Sequence, residues 1–90
     1  MTDSIPSADP HAKRAIWHSR RGMLELDVFL LPFAEEAYST LSSDDQALYR
    51  RLLNYEDPDL FTWFLEHTPA EDAELSRMVE MVRAHARQRG

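Results

Sequence analysis

In three places a capping residue stands directly before a proline: Asp9-Pro10, Asp57-Pro58 and Thr68-Pro69. Proline suits the first helical position, where its missing N–H would have no partner anyway and its φ is already helical. An Asp or Thr just before it can cap the amides that follow. Each pair therefore reads as a helix start. No competing strand signal exists, since nothing alternates over a strand's length and no Asn-Gly or Asp-Gly turn occurs. The chain is committed to helices.

Reading along the chain, residues 1–8 carry Pro, Ser and Asp without periodicity and are expected to form a mobile arm. The helical domain is expected to fill residues 9–90. "DPHAKRAIWHSR" opens it with Asp9 as cap, and Ala12, Ala15, Ile16 and Ser19 make a short, weak apolar face that Gly22 ends. From Met23 to about Thr40, Leu24, Val28, Leu31 and Tyr38 recur at helical spacing. Pro32 interrupts this run, but the helix formers of "PFAEEAY" favour one kinked helix over two pieces.

"LSSDDQALYRRLLN" is the clearest start, with Ser42 as cap and Asp44 and Asp45 at the positive end of the helix dipole. Leu48, Tyr49, Leu52 and Leu53 form its stripe. Behind Asp57-Pro58, the residues Leu60, Phe61, Trp63, Phe64 and Leu65 leave almost no polar face, so that helix should be wedged among others. In "TPAE", Thr68, Pro69 and Glu71 stand as in a capping box, ahead of Leu75, Met78, Val79 and Val82 at i, i+3, i+4, i+7. The expected fold is all-α, a single small bundle of about five short helices with tight connections.

Composition removes several functions. Ninety residues support one core, and 43% hydrophobic content is too much for a disordered chain. With no cysteine, disulfides, thiolate metal sites and cysteine nucleophiles are out. A net charge of −6 argues against nucleic-acid binding, which needs a basic footprint. No apolar run is long enough to span a bilayer, and the opening residues resemble neither a signal peptide nor a transit peptide. A soluble, cytoplasmic protein, monomeric before it meets a partner, is the expectation.

Candidate chemistry is sparse. His11, His18, His67 and His85 lack the spacing of a metal site. The acidic runs at 44–45, 56–59 and 71–74 coincide with helix starts, where capping and the dipole explain them. No nucleophile elbow or glycine-rich phosphate loop is present. Phe61, Trp63, Phe64 and Tyr49 read as core rather than as a stacking platform, and the basic C-terminal "RAHARQRG" reads as charge matched to a helix end. Trp17 differs, since it sits in a weakly amphipathic helix between Arg14 and Arg20 and suits an interface.

The remaining feature is "RRGMLE" at 20–25, which holds the only glycine before Gly90. Gly22 can end the first helix in a left-handed conformation, or cap the second with Glu25 at the third position reaching back to its amide. Neither role explains the arginines. Arg20 and Arg21 would stand at the positive end of the second helix, and an Arg21–Glu25 pair at i, i+4 is worth at most about 0.2–0.5 kcal/mol. Lys13, Arg14, Arg20 and Arg21 also place four of ten basic residues within nine positions of an acidic chain. Guanidiniums beside a residue without a side chain suit close approach by another surface. Arg14, Trp17, Arg20, Arg21, Gly22 and Glu25 are the candidate partner-binding residues.

At these residues the chain resembles the FAD assembly factors of succinate dehydrogenase, small bacterial proteins related to a mitochondrial assembly factor. The likeness is carried by "RRGMLELD" at 20–27, whose Arg21, Gly22 and Glu25 match the family's Arg-Gly-x-x-Glu motif. "LSSDDQALYRRLL" at 41–53, "DPDLFTWF" at 57–64 and "DAELSRMV" at 72–79 support it in order and spacing.

The resemblance implies a five-helix bundle that binds the flavoprotein subunit of succinate dehydrogenase, and of fumarate reductase where present. It implies promotion of covalent FAD attachment to a histidine of that subunit, by an assembly chaperone that is not itself an enzyme and holds no stable cofactor. On this reading Gly22 lies flat against the immature flavoprotein while Arg21 and Glu25 hydrogen-bond to it. Gly22→Arg should then block docking and leave the bundle folded, if left-handed geometry is not demanded there. Two other classes predict different behaviour: an antitoxin-like or regulatory protein-binding module, and a nucleic-acid binder using the 13–21 patch.

Overall fold

A computed structural model describes residues 10–89. The expected arm at 1–8 and the Asp9 cap lie outside the described residues. Five α-helices follow in order: α1 (Pro10–Ser19), α2 (Leu24–Glu36), α3 (Ser43–Leu53), α4 (Asp57–Leu65) and α5 (Ala73–Arg89). A 3-10 turn at Tyr38–Thr40 separates α2 from α3, and the described residues contain no strand. Helix α2 is the central element, packed against α1, α4 and α5, while α3 closes on α5. No helix among the described residues is long and apolar enough to cross a membrane.

The core is one cluster. Leu26, Leu30 and Phe33 of α2 meet Tyr49, Leu52 and Leu53 of α3, with Leu60 and Phe64 from α4 and Leu75, Met78 and Val82 from α5. In α3 the expectation holds in full: Ser42 Oγ accepts from the Asp45 amide at 3.1 Å, and all four stripe residues are buried. Leu60, Trp63 and Phe64 are buried in α4, and Leu75, Met78, Val79 and Val82 in α5.

Helix α2 passes through Pro32 without breaking. The ring deprives the Val28 carbonyl of its intrahelical donor, but Val28 is half exposed, where water can serve instead. The helix stops earlier than expected, at Glu36. The Thr40 amide and hydroxyl both take the Ala37 carbonyl, at 3.0 and 2.7 Å, and draw the chain into the tighter turn.

Two expected starts are corrected. Asp57 lies inside α4 as its first residue, and the preceding Glu56 makes no side-chain cap. Thr68 and Glu71 form no capping box, because α5 begins at Ala73. Asp72 supplies the cap, its Oδ1 accepting from the Leu75 amide at 2.9 Å, and the Glu71 carboxylate accepts from the Tyr55 hydroxyl.

Candidate functional site

The segment between α1 and α2 is anchored first by a buried serine. Ser19, fully buried, lies 2.6 Å from the Ala15 carbonyl and 2.7 Å from the Tyr49 hydroxyl. Tyr49 in turn lies 3.2 Å from the Leu30 carbonyl. Two hydroxyl protons thus serve three contacts that tie α1 to α3 and α2. Burial pushes the Tyr49 phenol well above its ordinary pKa, so it stays protonated and able to donate.

Beyond Ser19 the chain turns. Gly22 has φ of 80°, in the left-handed region, and a Cβ placed there would meet nothing within 4 Å. Glycine is therefore required by backbone conformation rather than by crowding inside the free protein. The expected cap by Glu25 does not form. Met23 occupies the cap position without a side-chain bond, and Glu25 is exposed. Asp27, two residues further on, reaches back instead, its Oδ1 accepting from the Arg21 amide at 2.9 Å.

Arg21 departs most from expectation. Its side chain is only 11% exposed, and its guanidinium is committed within the chain. Nε donates to Asp57 Oδ1 at 2.7 Å. Nη1 donates to the His18 and Leu53 carbonyls, both at 3.0 Å, and Nη2 to the Tyr55 carbonyl at 2.8 Å. Four of the five N–H donors a guanidinium carries are thereby used. The physical reason is the meeting of two helix ends. The chain ends of α1 and α3 leave carbonyls without intrahelical partners and carry the negative end of their dipoles, and one cation serves both. Arg21 was expected to face a partner, and instead Asp57 holds its guanidinium within the chain.

What remains outward is a different set. Trp17 is 74% exposed, on the side of α1 opposite buried Ala12, Ala15 and Ser19, and Arg14, Arg20, Gly22 and Glu25 are exposed with it. Sequence reasoning missed two more, Leu24 at 73% and Val28 at 52% exposure. Their helical spacing marked them as core, yet α2 buries Leu26, Leu30, Phe33 and Ala34. The run is apolar nearly all round, so periodicity holds two stripes and cannot rank them. His18 also lies exposed at the corner. Its partial burial and then the charge of Arg21 lower its pKa below the ordinary 6.5.

Elsewhere the described residues offer no group of three or more His, Asp or Glu able to hold a metal. Trp63 is buried against Tyr55, ring centres 5.0 Å apart, as core aromatics should be. The basic C-terminal stretch is engaged at home. His85 Nε2 lies 3.1 Å from Glu36, Arg89 pairs with the same carboxylate, and Arg83 donates to the Phe64 carbonyl at 3.2 Å.

The fold defines a small all-α bundle, and its α1–α2 corner presents a tryptophan, two aliphatic side chains and mixed charges. The model of a family described as flavinator of succinate dehydrogenase matches residues 13–86, and the chain belongs to that family. Among its relatives, the FAD assembly factor SdhE of Pseudomonas putida is 59% identical over 69 residues, 77% of this chain and 82% of that protein. Its namesake in Pseudomonas aeruginosa is 57% identical over 70 residues, covering 78% and 83%. That of Shewanella oneidensis is 52% identical over 73 residues, covering 81% and 89%.

Proposed function

We propose that this chain is an assembly factor that binds the flavoprotein subunit of succinate dehydrogenase and promotes covalent attachment of FAD to it. The observation that carries the reading is the family match across residues 13–86, nearly all of the described helical bundle. The relatives' shared name, FAD assembly factor, speaks for a chaperone-type role rather than catalysis. The flavin belongs to the partner in this reading, fumarate reductase is a second client where present, and the free factor is a monomer.

The docking surface would be Arg14, Trp17, Arg20, Gly22 and Glu25, with Leu24 and Val28 adding apolar area. Arg21 keeps its place in this site as a positioning residue, since four of its five guanidinium donors are already used. Exposed tryptophans are frequent energetic centres of interfaces, and arginines at the rim steer association. The factor accelerates attachment only in so far as it binds the attachment-ready conformation of the flavoprotein better than the others.

Deleting the gene and measuring flavin fluorescence of the denatured dehydrogenase subunit in a gel tests the reading. Loss of signal, restored by the wild-type chain, is expected. Trp17→Ala should weaken partner affinity by about 2 kcal/mol, roughly 30-fold, at unchanged thermal stability. A flavin signal indifferent to deletion would refute the proposal.

A further inference from the structure

The corner is held from a helix that contributes nothing to its surface. Arg21 is gripped at both ends by carboxylates, its amide by Asp27 of α2 and its Nε by Asp57, the first residue of α4 and 36 positions away. The other guanidinium bonds go to neutral carbonyls of His18, Leu53 and Tyr55. Asp57 is thus the carboxylate paired with a cation whose side chain is nearly nine-tenths buried. An arginine stripped of its partner in such a place is driven toward water. Gly22 follows directly on the chain, at a left-handed φ of 80° with open space where a side chain would stand. Whatever moves Arg21 moves the turn.

We propose that Asp57 is a positioning residue for the docking corner. Acting through Arg21, it sets the path of the Gly22 turn and hence the relative placement of the exposed residues on α1 and at the start of α2. Its worth for flavin attachment rests on the proposed function, whereas its control of the turn does not. The position of Asp57 supports this division of labour. Capping α4 would require it one place earlier, and its carboxylate is spent on Arg21 instead.

Gly22 and Gly90 are the only glycines, so the full chain labelled with nitrogen-15 glycine gives two backbone amide signals, one of which reports on the turn. Asp57→Ala should shift or broaden the Gly22 signal and lower covalent flavin incorporation in cells roughly 10-fold. Asp57→Asn retains an acceptor oxygen for Nε but not the charge, and should restore only part of both. Val82→Ala, in the buried face of α5, serves as the stability control. It should leave the Gly22 signal in place and flavin incorporation within about twofold, even at an equal or lower Tm. The inference is overturned if Asp57→Ala leaves the Gly22 signal untouched, or if both variants lose flavin in step with their Tm. Failure of the wild-type chain to restore any covalent flavin would sink the proposed function instead, and the Gly22 signal would still decide whether Asp57 sets the turn.

Discussion

Gly22 carries two separable demands. Its φ of 80° costs an L-residue about 1–2 kcal/mol, while the space beside it is open. Gly22→Arg should therefore destabilise the bundle by about that amount, and should also stand a long side chain in the surface proposed for docking. Gly22→Asn separates the two demands, since asparagine visits the left-handed region at lower cost. We expect the Asn variant to keep most of the stability in a urea melt and to lose less flavin incorporation than the Arg variant. Equal losses at equal stability would mean that bulk at this position does not matter. Arg21 shows the opposite economy, a residue that looks exposed in the sequence and is spent inside.

Carboxylates join the helices to one another, and this makes the elements sensitive to acid. Asp72 caps α5 and pairs with Arg51 of α3. The Leu75 amide, then Arg51, holds its pKa below the ordinary 3.8. Glu36, at the end of α2, is held below 4.5 by Arg89 and His85 of α5. Both folded-state values are depressed, so their contribution is full above the ordinary values and is lost as pH falls through the lowered ones. Urea midpoints should fall only slightly below about pH 6.5, where the lowered pKa of His18 begins to count, and decline further below about pH 4 as these carboxylates protonate. Asp72→Asn, which can still cap but cannot titrate, should flatten part of that decline. An unchanged acid limb in this variant would exclude Asp72 as a source.

At the scale of the whole molecule the margin is thin. A chain of 90 residues at roughly 0.05–0.15 kcal/mol per residue holds only about 5–13 kcal/mol. Leu52, fully buried in α3, belongs to the one core cluster that all five helices share. Leu52→Ala should cost about 2–5 kcal/mol and lower Tm by at least about 8 °C, read by calorimetry or thermal circular dichroism. A shift of under about 3 °C would mean that the core collapses around the gap. The exposed corner lies outside this cluster, yet Ser19, Tyr49 and Arg21 bind it to α2, α3 and α4. Surface and core are therefore not independent in stability.

Local chemistry made much of this legible in the sequence. Ser42 and the stripe Leu48, Tyr49, Leu52, Leu53 named α3 because a cap and a 3.6-residue period are short-range properties. The left-handed turn at Gly22 was legible too, whereas Trp17, between Arg14 and Arg20 on a weakly amphipathic helix, suited an interface without its exposure being decided until α1 had packed. Other features depended on neighbours distant in sequence. Which of two apolar stripes α2 would bury was decided by α1, α4 and α5 packing on Leu26, Leu30 and Phe33, leaving Leu24 and Val28 outside. The inward turn of Arg21 was decided by carbonyls at Leu53 and Tyr55 and a carboxylate at Asp57, none within 30 positions of it. Propensity, capping and period act within about one or two helical turns and travel with the sequence. Burial and the pairing of a buried charge exist only once separate helices have met.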